Sequence, residues 1–285
     1  MAVTYREVRV VTGDFARVHI FPIRPVPRGR KVKNKPTRAT QERLNRKNAA
    51  HRLTDLINLN FSKKSWVLRL DYHVFRETNG RNPSDSEMNR EIHNFMRRLK
   101  RKYDKSNTEL KWILCTEVGV RGGLVHHHIV LSEGLNLDDV IKAWKCGGVG
   151  WSKNNGPHLY FDEHGAFDLA RYMVKEKHRY RSYSCSRNLK RPQERREIFR
   201  NDHRISQKRF CAIADYDINE INELYPGWAI ASLPDMEFAI DYGTGELRED
   251  RMSPFLTLYL YKPEGLSEKN SFGYKEGKHE KSQTA

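Results

Sequence analysis

Three consecutive histidines, His126, His127 and His128, sit inside the apolar run that spans residues 124–131. If that run is a strand, its side chains alternate between faces, so His126 and His128 emerge together and His127 opposes them. Two imidazoles on one face of a rigid strand form a pre-positioned pair of metal ligands. The run upstream, residues 111–117, has strand character and carries Glu117 near its end. Gly119, Arg121, Gly122 and Gly123 then supply a turn. A turn centred on Arg121 and Gly122 sets Glu117 opposite His126, and one centred on Gly122 and Gly123 sets it opposite His128. Opposed residues share a face, so either register brings the carboxylate to the histidine pair. Placing three polar side chains in an apolar hairpin is costly unless they have partners. A His, His, Glu metal site is therefore expected. Ligand softness favours Mn²⁺ or Zn²⁺ over Mg²⁺ for this donor set, so the metal must be argued from the reaction.

A second group of chemical interest lies at residues 167–177, which have helical spacing. Phe167, Ala170 and Val174 make an apolar stripe, while Asp168, Tyr172, Lys175, Glu176 and Arg179 share a polar face. A phenol with a reference pKa near 10 is a poor nucleophile at neutral pH. It becomes a usable one towards phosphorus when a cation is close and a metal polarises the phosphate. Lys175, one turn beyond Tyr172, can supply that charge.

The elements that must position these groups follow from periodicity. Val8, Val10, Val18 and Ile20 suggest a hairpin turning near Gly13. Residues 24–36, rich in proline, lysine and arginine, read as an extended basic linker in which Arg28, Arg30, Lys31 and Lys33 can track a phosphate backbone. A helix is predicted over 37–58 and a strand over 65–74. Ser84 and Glu87 form a capping box that opens a helix with Met88, Ile92, Phe95, Met96, Leu99 and Tyr103 on one face. The two strands of the candidate metal hairpin follow, then a short helix over 137–145. This order predicts an α+β fold with a central antiparallel sheet and helices on one of its faces. Farther on, a short helix over 218–224 and strands over 228–232, 237–241 and 255–261 are expected, with a polar disordered tail from Ser267. The chain divides into an N-terminal hairpin, linker and helix (1–60), a core (61–194) and a C-terminal extension (195–285).

Composition bounds the partners. A formal net charge of +16 over 285 residues favours a polyanion through phosphate neutralisation, and the interleaved aromatics favour nucleic acid over a membrane surface. No run of 18 apolar residues and no N-terminal signal-like apolar region is present, which predicts a soluble intracellular protein. Cys115, Cys146, Cys185 and Cys211 have no C-x-x-C spacing, so reduced thiols are expected and a cysteine-based zinc site is not.

The histidine triplet after a glycine turn, its upstream glutamate and the Tyr-x-x-Lys helix resemble the HUH endonucleases, most closely the rolling-circle replication initiators of phages and plasmids. The segments 41–49, 58–61 and 186–192 are similar to kin on mobile elements of Gram-positive bacteria. The likeness covers roughly residues 5–195. It implies an HUH/Rep nuclease-like fold with a ferredoxin/RRM-like core, plus N- and C-terminal additions. It also implies His126, His128 and Glu117 as ligands of Mg²⁺ or Mn²⁺, Tyr172 as nucleophile and Lys175 as its helper, with Arg187 beside the DNA. The implied reaction nicks single-stranded origin DNA through a 5′-phosphotyrosyl link in the bacterial cytoplasm, with host helicase and polymerase as partners. Two departures stand out. His127 occupies the usually hydrophobic middle position, and Arg69 and Asp71 stand where the first motif usually has threonines. The competing classes are a DNA-binding regulator that keeps the fold without catalysis, and a nuclease that uses water in place of Tyr172.

Overall fold

The computed structural model describes residues 4–23, 38–119, 123–175, 183–192, 205–233, 235–238 and 254–265. The basic linker with Arg28, Arg30, Lys31 and Lys33, the segment 176–182 and the lysine-rich tail lie outside the described residues. The chain opens with β1 (Thr4–Thr12), β2 (Phe15–Ile23), α1 (Arg38–Asn60) and β3 (Trp66–Asp71). It continues through α2 (His73–Asn79), α3 (Asp85–Lys105), β4 (Trp112–Val118) and β5 (Val125–Leu131). Then come α4 (Leu137–Ala143), β6 (Val149–Gly150), α5 (Phe167–Met173) and β7 (Ser184–Cys185). The last elements are α6 (Gln207–Ala214), α7 (Ile218–Leu224), β8 (Ala229–Ile230), β9 (Asp235–Phe238) and β10 (Pro254–Tyr261).

The class is α+β, with two antiparallel sheets. The sheet that carries the candidate site runs β6-β3-β5-β4-β7, which puts the histidine strand in its centre. Alternation along the strands sorts the side chains. Leu68, Leu70, Leu114, Ile129 and Leu131 point to one face and pack with Phe95, Leu99 and Tyr103 of α3 and Val140 of α4. Val67, Ile113, Cys115 and Val130 point to the other and meet Leu53 and Ile57 of α1 and Ala170 and Met173 of α5. Helices thus cover both faces, where the sequence order suggests one. The long β3–β5 and β4–β5 ladders leave apolar side chains on both sides, and each side needs cover. Each fully buried Phe or Leu in these layers contributes about 2 kcal/mol of apolar transfer.

Strand β3 stops at Asp71, three residues before the predicted end. Tyr72 leaves the extended region (φ −121°, ψ 32°) and Asp71 Oδ1 accepts the His73 N–H, so the chain turns into α2. Helix α3 begins with the expected capping box: Ser84 Oγ accepts the Glu87 N–H while the Glu87 carboxylate accepts the Ser84 N–H.

The second sheet has the order β1-β2-β10-β8, with β9 pairing to β10. The predicted N-terminal hairpin forms, turning at Gly13 (φ 71°) and Asp14, and its second strand pairs along β10 near the far end of the described chain. Val18, Ile20, Leu256 and Leu258 pack with Phe210, Ile213 and Ile221 of α6 and α7, of which α6 has no counterpart among the elements expected from the sequence. Helix α1 bridges the two sheets. Its Asp55 takes a two-pronged pair from Arg17 of β2 (2.8 and 3.2 Å), and its His51 Nε2 lies 3.0 Å from the Tyr259 hydroxyl of β10. Among the described residues, no helix is long and apolar enough to cross a membrane.

Candidate active site

The register of the β4–β5 ladder decides the hairpin question: Glu117 is opposite His126 and Cys115 opposite His128. Of the two turns the glycines allow, this is the one centred on residues 121 and 122. Glu117, His126 and His128 therefore share a face, with ligand atoms all within 4.8 Å of one another. Glu117 Oε2 lies 3.0 Å from His128 Nε2 and 3.5 Å from His126 Nε2, and the two imidazole rings stand nearly perpendicular with centroids 5.0 Å apart. His127 projects to the opposite face and is buried. Its Nε2 is 2.7 Å from the Tyr72 hydroxyl and its Nδ1 is 2.9 Å from Thr116 Oγ1, so both ring nitrogens are engaged. The histidine in the usually hydrophobic position is thus a core residue held by two hydroxyls.

Protonation suits cation binding. Burial, with His126 alongside, pushes His128 down to about 4 against the pull of Glu117, so its imidazole is neutral at pH 7. Burial disfavours the charged form of Glu117, but hydrogen bonds from Lys175 and His128 and the Lys175 charge hold its pKa below the usual carboxylate value. A neutral imidazole and an ionised carboxylate on adjacent rigid strands are the ligand forms a divalent ion requires.

Helix α5 lies against this face. It begins after Gly165, whose φ of +71° favours glycine, and a Cβ there would lie 2.5 Å from the Asn58 side-chain nitrogen. Asn58, buried on α1, accepts the Ala166 N–H at 3.0 Å and so fixes where α5 starts. The helix ends at Met173, earlier than the spacing over 167–177 suggests. Lys175 sits in the turn that follows, with its N–H directed to the Tyr172 carbonyl (3.4 Å). Tyr172 is half exposed, and its ring packs edge-on against His128 at 5.0 Å. The Lys175 ammonium is 2.8 Å from Glu117 Oε1 and 4.2 Å from the centre of the Tyr172 ring. All five residues expected to do chemistry are brought together. Arg187 is not with them. It is exposed next to Ser186, whose N–H donates to the Trp112 carbonyl at the other end of β4, roughly 16 Å of strand from Glu117.

The first-motif departures resolve into two roles. Asp71 and Arg69 of β3 lie opposite His126 and His128, on the site face. Asp71 is taken up structurally: it accepts the Gly148 N–H (2.9 Å) and lies 2.7 Å from His73 Nδ1. Only glycine fits at Gly147, since a Cβ there would meet the Asp71 carbonyl oxygen at 2.4 Å. Arg69 is exposed at the edge of a cleft of about 690 Å³ that also reaches His128 and Tyr172. A second cleft on the other side of α5 is cationic, with Arg43, Arg46 and Lys47 of α1 facing Arg171 and Lys175. Sequence reasoning missed Asn58 and Asn60 as positioning residues. Asn60 holds Lys190 by a reciprocal pair, accepting its N–H at 2.7 Å and donating to its carbonyl at 2.8 Å.

A central antiparallel sheet with two histidines and a glutamate converging on one face, and a tyrosine helix beside them, defines a compact candidate metal and phosphoryl-transfer centre. Residues 65–177, which span β3 to just past α5, match a family of replication-associated proteins, the ORF2 type. No curated protein and no solved structure matches the chain.

Proposed function

We propose that the protein initiates rolling-circle replication by nicking single-stranded origin DNA and holding the cut strand on Tyr172. The observation that carries this reading is the convergence of Glu117, His126 and His128 within 4.8 Å, with Tyr172 packed on His128 and Lys175 touching both Glu117 and the phenol ring. The match of residues 65–177 to replication-associated proteins supports the biological setting. Mg²⁺ or Mn²⁺ held by the triad would polarise the scissile phosphate. The Tyr172 oxygen attacks phosphorus and forms a P–O bond to the ring as the P–O3′ bond breaks. The phenolic proton is released to water, and the departing 3′ oxygen takes one up to become a 3′-OH that can prime synthesis. Lys175 supports the phenolate and the charge that develops on the phosphoryl oxygens. The bond is exchanged rather than hydrolysed, so reversal reseals the strand without a high-energy cofactor. A host helicase and polymerase would follow the nick.

The test incubates the full chain and Mn²⁺ with a pool of 3′-labelled single-stranded oligonucleotides and runs a denaturing gel. A labelled covalent adduct that disappears in Tyr172→Phe is expected. Cleavage that survives Tyr172→Phe would assign the attack to water. Binding with neither cleavage nor adduct would favour the second reading, a DNA-binding regulator, towards which the placement of Arg69 and Asp71 on the site face leans.

A further inference from the structure

The cleft that shares His128 and Tyr172 with the candidate centre has an unusual lining. Five large aromatic side chains are among the exposed hydrophobics of the described residues, namely Trp151, Tyr160, Tyr172, Tyr216 and Phe255, and the first three all line this one cleft. Single exposed aromatics are ordinary, whereas three around one concavity form a surface with a purpose. Their exposure is built in. Trp151 follows β6 directly, at the point where the chain leaves the edge of β3. The chain returns through a Ser152–Gly156 bridge, with the Val67 N–H donating to Pro157 (2.7 Å) and the Leu159 N–H donating to Ser65 (2.9 Å). Tyr160 stands between Leu159 and Phe161, both buried in the core, so its ring is held 58% exposed by neighbours that cannot turn outwards. Both rings therefore stand at anchored ends of the 151–160 excursion. Arg69 and Lys153, both exposed, add positive charge to the same cleft.

We propose that this cleft is a nucleobase-stacking site, in which Trp151 and Tyr160 hold an unpaired nucleotide of the DNA strand next to the phosphate presented to Tyr172. The inference rests on the DNA-nicking reading above and adds the element that selects single strands. In a duplex the base faces are already covered by their neighbours, so aromatic rings flanked by cations favour a strand whose bases are free. Arg69 and Lys153 match the phosphates of that nucleotide, and Tyr172 bounds the cleft on the side of the triad. Stacking is tolerant of base identity, so the site fixes the position of the strand more than its sequence.

The test measures metal-free binding of the full chain to a 20-nucleotide oligo(dT) and to a blunt duplex over a salt series. Trp151→Ala and Tyr160→Ala are each expected to weaken oligo(dT) binding roughly five- to a hundredfold, the range of a single base stack. The salt slope and the duplex affinity should be preserved. Trp151→Phe and Tyr160→Phe should restore most of the loss, and quenching of tryptophan fluorescence by oligo(dT) should shrink in Trp151→Phe. Wild-type affinity in both alanine variants would overturn the site, as would equal losses on duplex and single strand. The outcome is separable from the fate of the nicking reaction. Missing adduct formation leaves these binding differences intact, and unchanged binding in the variants leaves an adduct on Tyr172 intact.

Discussion

The Lys175 ammonium lies 2.8 Å from Glu117 Oε1 and 4.2 Å from the centre of the Tyr172 ring, so one positive charge serves both the metal-binding face and the proposed nucleophile. The contact joins the turn after α5 to the middle of the sheet. Lys175→Gln removes the charge while keeping a polar side chain of similar reach. Adduct formation on Tyr172 should fall roughly 10²-fold, the scale of losing one well-placed electrostatic group. Mn²⁺ affinity at Glu117, His126 and His128 should hold or rise, because a like charge leaves the site. Single-turnover adduct kinetics alongside a Mn²⁺ titration reads both, and an unchanged adduct rate would remove Lys175 from the chemistry.

The histidine triplet should split cleanly under substitution. His126→Ala and His128→Ala delete ligands from the half-buried site face, and each should abolish Mn²⁺ binding and cleavage while leaving salt-sensitive DNA binding in place. His127→Ala instead strands the buried hydroxyl of Tyr72 and costs about 1–3 kcal/mol of stability. Thermal unfolding with a Mn²⁺ titration on all three variants tests this. A stability loss in His128→Ala as large as that in His127→Ala would contradict the assignment of faces.

Asn58 should act on Tyr172 from a distance. Its carbonyl oxygen accepts the Ala166 N–H and its side chain fills the space beside Gly165, so α5 starts where α1 dictates. Asn58→Ala leaves that N–H buried without its partner and should cost about 1–2 kcal/mol. Adduct formation should drop more than oligonucleotide affinity, since the tyrosine helix is displaced while the charged surfaces persist. Gly165→Ala should be worse, combining a positive φ with a Cβ clash against Asn58. Equal stability of Asn58→Ala and the wild type would refute the role.

The parts of the molecule that were legible in advance are those specified by neighbours in sequence. The alternation around His126 to His128, the glycine turn after Val118, and the Ser84–Glu87 box each encode their geometry within a few residues. Even the ambiguity of the hairpin was harmless, since both registers put Glu117 on the histidine face. What could not be read depends on distant partners. The pairing of β2 with β10 joins residues more than two hundred positions apart, and nothing in Val18 or Leu258 names the other. His73, Val74 and Phe75 continue a strand-like pattern, and it is the Asp71 side chain that turns them into α2. Asn58 looks like any polar residue near a helix end until Gly165 is seen against it.

Cationic residues around the second cleft should set the salt dependence of binding. Arg43 and Arg46 are exposed on α1 and face Arg171 and Lys175 across that cleft, beside α5. Charges of this kind bind phosphate by releasing counterions, independently of base identity. Replacing Arg43 and Arg46 by glutamine should weaken binding to every single strand alike. The slope of log K against log salt should flatten by about 0.7 for each phosphate that is no longer neutralised. A variant with reduced affinity and an unaltered slope would show that these side chains act through the fold instead.

Acid should loosen the joint between α1 and the second sheet. Burial, reinforced by Arg17, Lys47 and His19, pushes His51 down to about 3 from an ordinary value of 6.5, and Tyr259 shares a hydrogen bond with its Nε2. The folded chain therefore keeps His51 neutral while the unfolded chain protonates it. Stability is complete above pH 6.5 and declines as pH falls towards 3, by up to roughly 1.4 kcal/mol per unit from this group. His128, pushed down to about 4, adds a loss of the same sign. Chemical denaturation at pH 7 and pH 5 should give a smaller stability difference for His51→Gln than for the wild type, by about 1–2 kcal/mol, because glutamine can still partner Tyr259 but does not titrate. Identical pH dependence in the two proteins would mean that His51 is protonated to the same extent in the folded and unfolded chains.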